Sequence, residues 1–272
     1  MKLTVMLLAV ALVATSNAAA DETVASVDVA NQELTGLEVA KLTDKARRAE
    51  TEHQVMRMTL ENSRGQQRVR TIEGWSREVD DEEEKRFVRF LEPADVKDTM
   101  LLTYDYDDKD DDIWLYLPAL KKVKRILSSN KTDYFMGSDF TYWDMENLDL
   151  VNWDYTLKGA EQIDGVDAWL VEATPNNDKE LEESGYTRTV MWTGKEDFIP
   201  RKIEYYDKKG RLAKRLISND IRPTSPEDPR PRSHRLVMDN LITSHKTELS
   251  MSKLELDVDV DDEVFSQRNL MP

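Results

Sequence analysis

About a dozen strand-like segments follow one another along this chain, with one clear helical stretch before them, and that succession constrains the fold more than any other feature. The segments are residues 55–60, 68–75, 86–91, 100–106, 113–117, 123–127, 155–159, 168–173, 188–193, 200–206, 212–217, 235–242 and 246–256. Many alternate apolar with polar residues or are rich in aromatic and β-branched side chains, and polar turn signals separate them. Asp164-Gly165 reads as a two-residue hairpin turn, and Lys208-Lys209-Gly210 as another tight reversal. Strands joined by such short turns make an antiparallel meander. A sheet of this many strands must curl, close or pack on something. A helix over 37–52, with Leu37, Ala40 and Leu42 on its apolar face, and an apolar segment over 139–150 cover it only in part. The fold class is therefore mainly β with few helices: a curled antiparallel sheet with an internal groove.

Residues 1–20 stand apart from the fold. Met1 and Lys2 form a positive start, 3–14 an apolar run, and Ala18-Ala19-Ala20 a small-residue cleavage site before Asp21, the pattern of a secretory signal peptide. The apolar run falls short of the ~20 residues that cross a bilayer. No cysteine follows to carry a lipid anchor. The expected product is exported to a periplasm as a soluble protein, with 21–36 a flexible leader and 37–272 one domain. Loss of Lys2 with the signal takes the net charge from −16 to −17. Such an excess repels nucleic acid phosphates and anionic lipid surfaces, so neither is an expected partner. Absence of cysteine excludes disulfides, thiolate metal sites and a cysteine nucleophile. Apolar content of 39% is below the usual range of about 45–50%, which argues against a thick, wholly apolar core.

No catalytic constellation is visible. His53, His234 and His245 are far apart and lack metal-ligand spacing, and there is no nucleophile elbow, P-loop or dinucleotide fingerprint. Neither catalysis nor a cofactor is expected. The run Asp105, Asp107, Asp108, Asp110, Asp111 and Asp112 resembles calcium-ligand chemistry but lacks the glycine and terminal glutamate of an EF-hand loop. It reads better as a solvated hairpin tip. Asp257, Asp259, Asp261 and Asp262 alternate with Val258 and Val260 as a strand with one wet face would, and the proline-rich 222–231 reads as a connector between late strands.

Large apolar side chains carry more signal. Residues 134–155 hold an excess of aromatics and methionines over what one strand needs, as a core plug under the sheet or as ligand contacts. The candidate lining of the groove is Trp75, Phe90, Leu102, Trp114, Tyr116, Phe135, Met136, Phe140 and Trp143, with strand parity left open. Lys121, Lys122, Lys124 and Arg125 form the one basic cluster, suited to a lipid head group or an acidic partner, or to a solvated strand edge.

Three stretches together resemble a known family: Arg86-Phe87-Val88-Arg89-Phe90-Leu91-Glu92-Pro93-Ala94-Asp95, Trp114-Leu115-Tyr116-Leu117-Pro118-Ala119-Leu120 with the basic residues after it, and Phe135-Met136-Gly137-Ser138-Asp139-Phe140. They are similar to the LolA-like, outer-membrane lipoprotein-sorting proteins, and Glu204-Tyr205-Tyr206-Asp207 and Asp262-Glu263-Val264-Phe265 fit the same pattern. The resemblance implies an incomplete β-barrel with a helical lid over a hydrophobic cavity. It also implies a non-catalytic periplasmic carrier of acylated cargo, with an inner-membrane exporter and an outer-membrane acceptor as partners. The branch it most resembles is associated with exporters of the resistance-nodulation-division type, which implies an accessory subunit of such a pump as the alternative role.

Overall fold

A computed structural model describes residues 34–80, 83–106, 109–146 and 150–270; the expected signal peptide and nearly all of the expected leader lie outside them. The first element is a helix, α1 (Gly36–Arg47), opened by a capping box in which the Thr35 hydroxyl accepts from the Glu38 amide and the Glu38 carboxylate accepts from the Thr35 amide. It stops well before the expected residue 52, because the chain from Thr51 is already paired in the sheet. Thirteen strands follow: β1 (Thr51–Glu61), β2 (Gln67–Asp80), β3 (Glu83–Glu92), β4 (Met100–Tyr106), β5 (Asp112–Leu117), β6 (Lys122–Ile126), β7 (Trp153–Ile163), β8 (Val166–Pro175), β9 (Tyr186–Gly194), β10 (Pro200–Asp207), β11 (Leu212–Pro223), β12 (Pro231–Asn240) and β13 (His245–Leu256). Each contains or overlaps an expected segment. Asp164 and Gly165, both at positive φ, make the β7–β8 turn, and the proline-rich stretch joins β11 to β12.

All thirteen lie in one antiparallel sheet, in the order β6-β5-β4-β3-β2-β1-β13-β12-β11-β10-β9-β8-β7. The chain meanders outward from the centre to the β6 edge, crosses to the β7 edge, and meanders back until β13 pairs with β1. The sheet is an unclosed, partial barrel whose two edges are consecutive in sequence. The crossing segment between β6 and β7 therefore spans the opening, and it carries the aromatic excess. Among its described residues it forms tight 3-10 turns at Phe135–Gly137 and Trp143–Met145 and no α-helix. A second helix, α2 (Asp178–Ser184), lies between β8 and β9 instead, capped by Asn177 and by Gly185 in the left-handed region.

The crossing segment is a core plug. Phe135 and Tyr142 pack with Met58, Ile72, Phe90, Leu101 and Ile113, while Phe140 packs with Trp153, Tyr186, Tyr205 and Met238 from the other half of the sheet. Its polar groups are tied to strands on both sides. Arg70 of β2 donates to the Met136 carbonyl and Arg86 of β3 to that of Met145. Lys214 of β11 and the Tyr186 hydroxyl both donate to Asp144, and Thr247 of β13 donates to Asp139. The opposite face of β3–β5 is covered by the C-terminal tail, where Val260, Phe265 and Leu270 pack on Phe87, Met100 and Leu102. The expected strand over the alternating Asp and Val residues is absent: the chain leaves the sheet after Leu256, and burial of Val260 rather than strand pairing accounts for the alternation.

Lys131, at the start of the plug, is the centre of a buried charge cluster. Its ammonium donates to Asp111 at 2.6 Å and Glu146 at 2.9 Å, and lies 3.3 Å from Glu183 of α2. Asp111 is thus buried on a lysine rather than solvated; Asp105 binds Arg86, Asp110 binds Lys179 and Asp112 binds Arg125, so these carboxylates of the acidic run serve cationic side chains. One cation cannot neutralise three carboxylates. Burial, with the Asp111 charge added and against the pull of Lys131, pushes the Glu146 carboxyl up to about 8. A carboxyl raised above its unfolded value stabilises the fold fully below the unfolded pKa, and that contribution is lost as pH rises through the folded one. The unfolding midpoint should therefore fall between about pH 5 and 8, and Glu146→Gln should flatten that slope; an unchanged slope in the variant would exclude Glu146 as the titrating group.

Candidate ligand groove

Between α1 and the inner face of the sheet runs a groove of about 450 Å³. Its position follows from the sheet's curl and from how α1 is held. Gly36 sits so close to β7 that a Cβ there would lie 2.7 Å from backbone atoms of Tyr155, Thr156 and Leu157. At the other end Arg232 of β12 donates to the carbonyls of Ala46 at 3.0 Å and Arg47 at 2.9 Å, placing a cation on the negative end of the helix. The helix thus roofs the groove from β7 across to β12.

The groove is amphipathic along its length. Val88, Ile203, Leu216, Leu236, Met251 and Leu254 supply apolar wall, together with Val151 and Ile199 from loops. In the register of β1–β3, the rung of Gln54, Gly74 and Val88 gives way to Glu52, Ser76 and Arg86, and then to Glu78 and Glu84. The wall therefore turns charged toward the end under the α1 C-terminus, where Arg47 and Arg48 also line it. Burial raises the Glu52 carboxyl above its ordinary value, opposed by the charge of Arg232, and burial lowers the Arg232 guanidinium. Arg232 is only 7% exposed, and its Nε has no hydrogen-bond acceptor. A second depression, of about 480 Å³ by the β1–β2 hairpin, is lined chiefly by polar residues such as Asn62, Gln66, Gln67 and Arg68.

The nine candidate lining residues divide among three packing clusters. Trp75, Leu102, Trp114 and Tyr116 pack on the tail side of the sheet, where the Trp75 ring also stacks on His53 at 3.6 Å. Phe90, Phe135 and Met136 belong to the plug's contact with β1–β5, and Phe140 and Trp143 to its contact with the other half. Of the nine, Trp75 alone borders the groove. Strand parity separates them: Trp114 and Tyr116 of β5 face the tail, whereas Ile113 and Leu115 face the plug. The groove residues of β10–β13 carry no distinct signal in the sequence, because single leucines and isoleucines in charged strands look like ordinary amphipathic alternation. Lys122, Lys124 and Arg125 are exposed on β6, the sheet edge, with Lys121 at the turn before it. They lie away from the groove, and lysines at a free edge discourage strand pairing with other chains.

A family model described only as an uncharacterized protein matches residues 82–271. No curated protein matches the sequence. Among solved structures, an outer membrane lipoprotein-sorting protein domain from Vibrio parahaemolyticus is 32% identical, with 87% of this chain and 98% of that one covered and a TM-score of 0.80. A DUF1329 family protein from Desulfovibrio piger is 30% identical over 86% of this chain and 97% of its own, also at 0.80. A LolA superfamily protein from Nitrosomonas europaea shares the fold at 19% identity, over 87% of this chain and 99% of its own, with a TM-score of 0.66. With its unclosed thirteen-stranded sheet and roofing helix the chain has the LolA-like fold, and its 32% and 30% identity over nearly the whole of two relatives shows that it belongs to the family of outer-membrane lipoprotein-sorting and DUF1329 domains.

Proposed function

We propose that the protein is a non-catalytic periplasmic carrier that takes an acyl chain of a lipoprotein or lipid into the groove under α1 and shuttles it toward the outer membrane. The observation that carries this reading is the apolar wall of Val88, Ile203, Leu216, Leu236, Met251 and Leu254 along the groove, inside a family named for lipoprotein sorting. The export pattern at the N-terminus supports the location, and among the described residues no helix is long and apolar enough to cross a membrane. A carrier is needed because each methylene leaving a membrane for water costs about 0.8 kcal/mol, so a sixteen-carbon chain faces a penalty on the order of 10 kcal/mol.

Leu236 lines the groove from β12, and filling that space tests the reading. Leu236→Trp should weaken binding of a pyrene-labelled sixteen-carbon monoacylglycerol at least tenfold and shift the melting temperature by only a few degrees. Native mass spectrometry of protein released gently from the periplasm should show bound acyl species. Absence of both bound lipid and probe binding in the wild type would overturn the carrier reading, and stable capture by an exporter's periplasmic domain without lipid would favour the accessory-subunit role.

A further inference from the structure

We infer that the depression beside the β1–β2 hairpin is a second binding site, separate from the groove under α1, for a phosphate carried on a small hydroxylated group. Among the described residues two arginines are buried, Arg70 and Arg232, and neither has a carboxylate within ion-pair distance. Arg232 is spent on the α1 carbonyls. Arg70 makes one hydrogen bond, from Nη1 to the Met136 carbonyl at 2.7 Å, while its guanidinium lies 5.5 Å from the centre of the Phe90 ring. The rest of its fork of donors has no protein acceptor. Those nitrogens are not sealed: among the described residues the enclosed side-chain atoms without a partner belong to Arg86, Glu146 and Arg232, and Arg70, which lines the depression, is not one of them.

A guanidinium only 9% exposed and unmatched is costly, because burial takes its charge out of water and nothing replaces the lost hydration. In a chain of 54 acidic and 38 basic side chains a carboxylate partner is not scarce, so the opening beside Arg70 is kept for an anion from outside. Arg68 stands two residues along β2, hence on the same face, and lines the rim of the same depression. It too has no hydrogen-bond or ion-pair partner among the described residues. The carboxylates of the lining are already engaged. Glu61 accepts from Gln67 at 2.7 Å and lies 3.5 Å from Lys246, and Asp139, 5% exposed, accepts from the Thr247 hydroxyl at 2.8 Å. Acidic groups farther away act weakly here, since salt screens exposed charges beyond about 8 Å. Two free guanidiniums favour phosphate: a carboxylate is filled by one fork, whereas a phosphate has oxygens and charge for both. The remainder of the roughly 480 Å³ is walled by Asn62, Gln66, Gln67 and the Met136–Gly137 turn, amide and backbone groups that suit hydroxyls better than hydrocarbon. A soluble phosphate ester and a phospholipid head group both present this chemistry.

Isothermal titration of the purified protein at low ionic strength with glycerol phosphate, acetate and glycerol tests the site. Glycerol phosphate should bind at least tenfold more tightly than acetate, and glycerol should show no binding over the same concentrations. Arg68→Gln removes no intramolecular bond, so it should keep the melting temperature and weaken glycerol phosphate about tenfold. Arg70→Lys keeps the charge but loses the fork, and should weaken it at least as much. Flotation with phosphatidylcholine vesicles, with and without phosphatidylglycerol, separates the two sources: association that needs phosphatidylglycerol and is displaced by glycerol phosphate assigns the head group, and binding of the free ester without vesicle association assigns a soluble ligand. No binding of glycerol phosphate to the wild type, or binding that both variants leave unchanged, would overturn the inference. The pyrene probe reports the other cavity, and its binding should be the same in Arg68→Gln as in the wild type.

Discussion

Lys131→Met is expected to lower the unfolding midpoint by about 10 °C, the largest effect of any single substitution considered. The variant leaves Asp111, Glu146 and Glu183 buried together without their shared cation. Removing one partner of a buried ion pair costs roughly 3–5 kcal/mol. For a domain of this size each kcal/mol moves the midpoint by about 2–4 °C. Because the lysine joins the plug to α2 and to the β4–β5 turn, the plug should loosen with it. Thermal denaturation at pH 7, repeated at pH 5, gives the check: acid protonates Asp111, whose carboxyl burial already holds above its ordinary value, and should recover part of the loss, whereas an equal deficit at both pH values would show that the charge cluster is not its source.

The second large effect is at Gly36. Even alanine there brings a Cβ to 2.7 Å from the backbone of Tyr155, Thr156 and Leu157, closer than real Cβ contacts come. The neighbour cannot yield as a side chain would, because these are backbone atoms of β7 in its ladder with β8. Overpacking of this kind costs about 1–3 kcal/mol. The helix is the mobile partner, so the expected result is that α1 lifts from the sheet: hydrogen exchange over Gly36–Arg47 should quicken in Gly36→Ala while the amides of β12 and β13 keep their protection. Full protection of α1 in the variant would mean that the helix is not seated against β7.

Strand existence was legible because period-two alternation and turn residues are local, and the sheet was built from segments already apparent as strands. The boundaries of α1 were legible too, in the Thr35-x-x-Glu38 box, but the composition of 37–52 spoke louder. For α2 the signal lay in Asn177 and Gly185 on either side of an acidic heptapeptide. What no local pattern carries is the face of the sheet on which a side chain falls. Trp114 and Ile113 are neighbours in β5 and lie in different cores. Nor does sequence order say that β1 pairs with β13, which makes β6 and β7 the edges and turns the aromatic stretch between them into a plug rather than a lining. The groove inherits its walls from that pairing: Leu254 stands beside Gln54 although two hundred residues separate them.

The same pairing has a consequence for how the molecule comes into being. A chain delivered N-terminus first can assemble β1–β6 as one meander and β7–β13 as another, each from neighbours in sequence. The seam between them, β1 against β13, closes only when the last strand arrives, and a contact of such sequence separation is slow to form. Until then β1 presents an open edge in what will become the middle of the sheet. The interval before that seam closes is when the chain is most exposed to mispairing, and also when the floor of the groove does not yet exist.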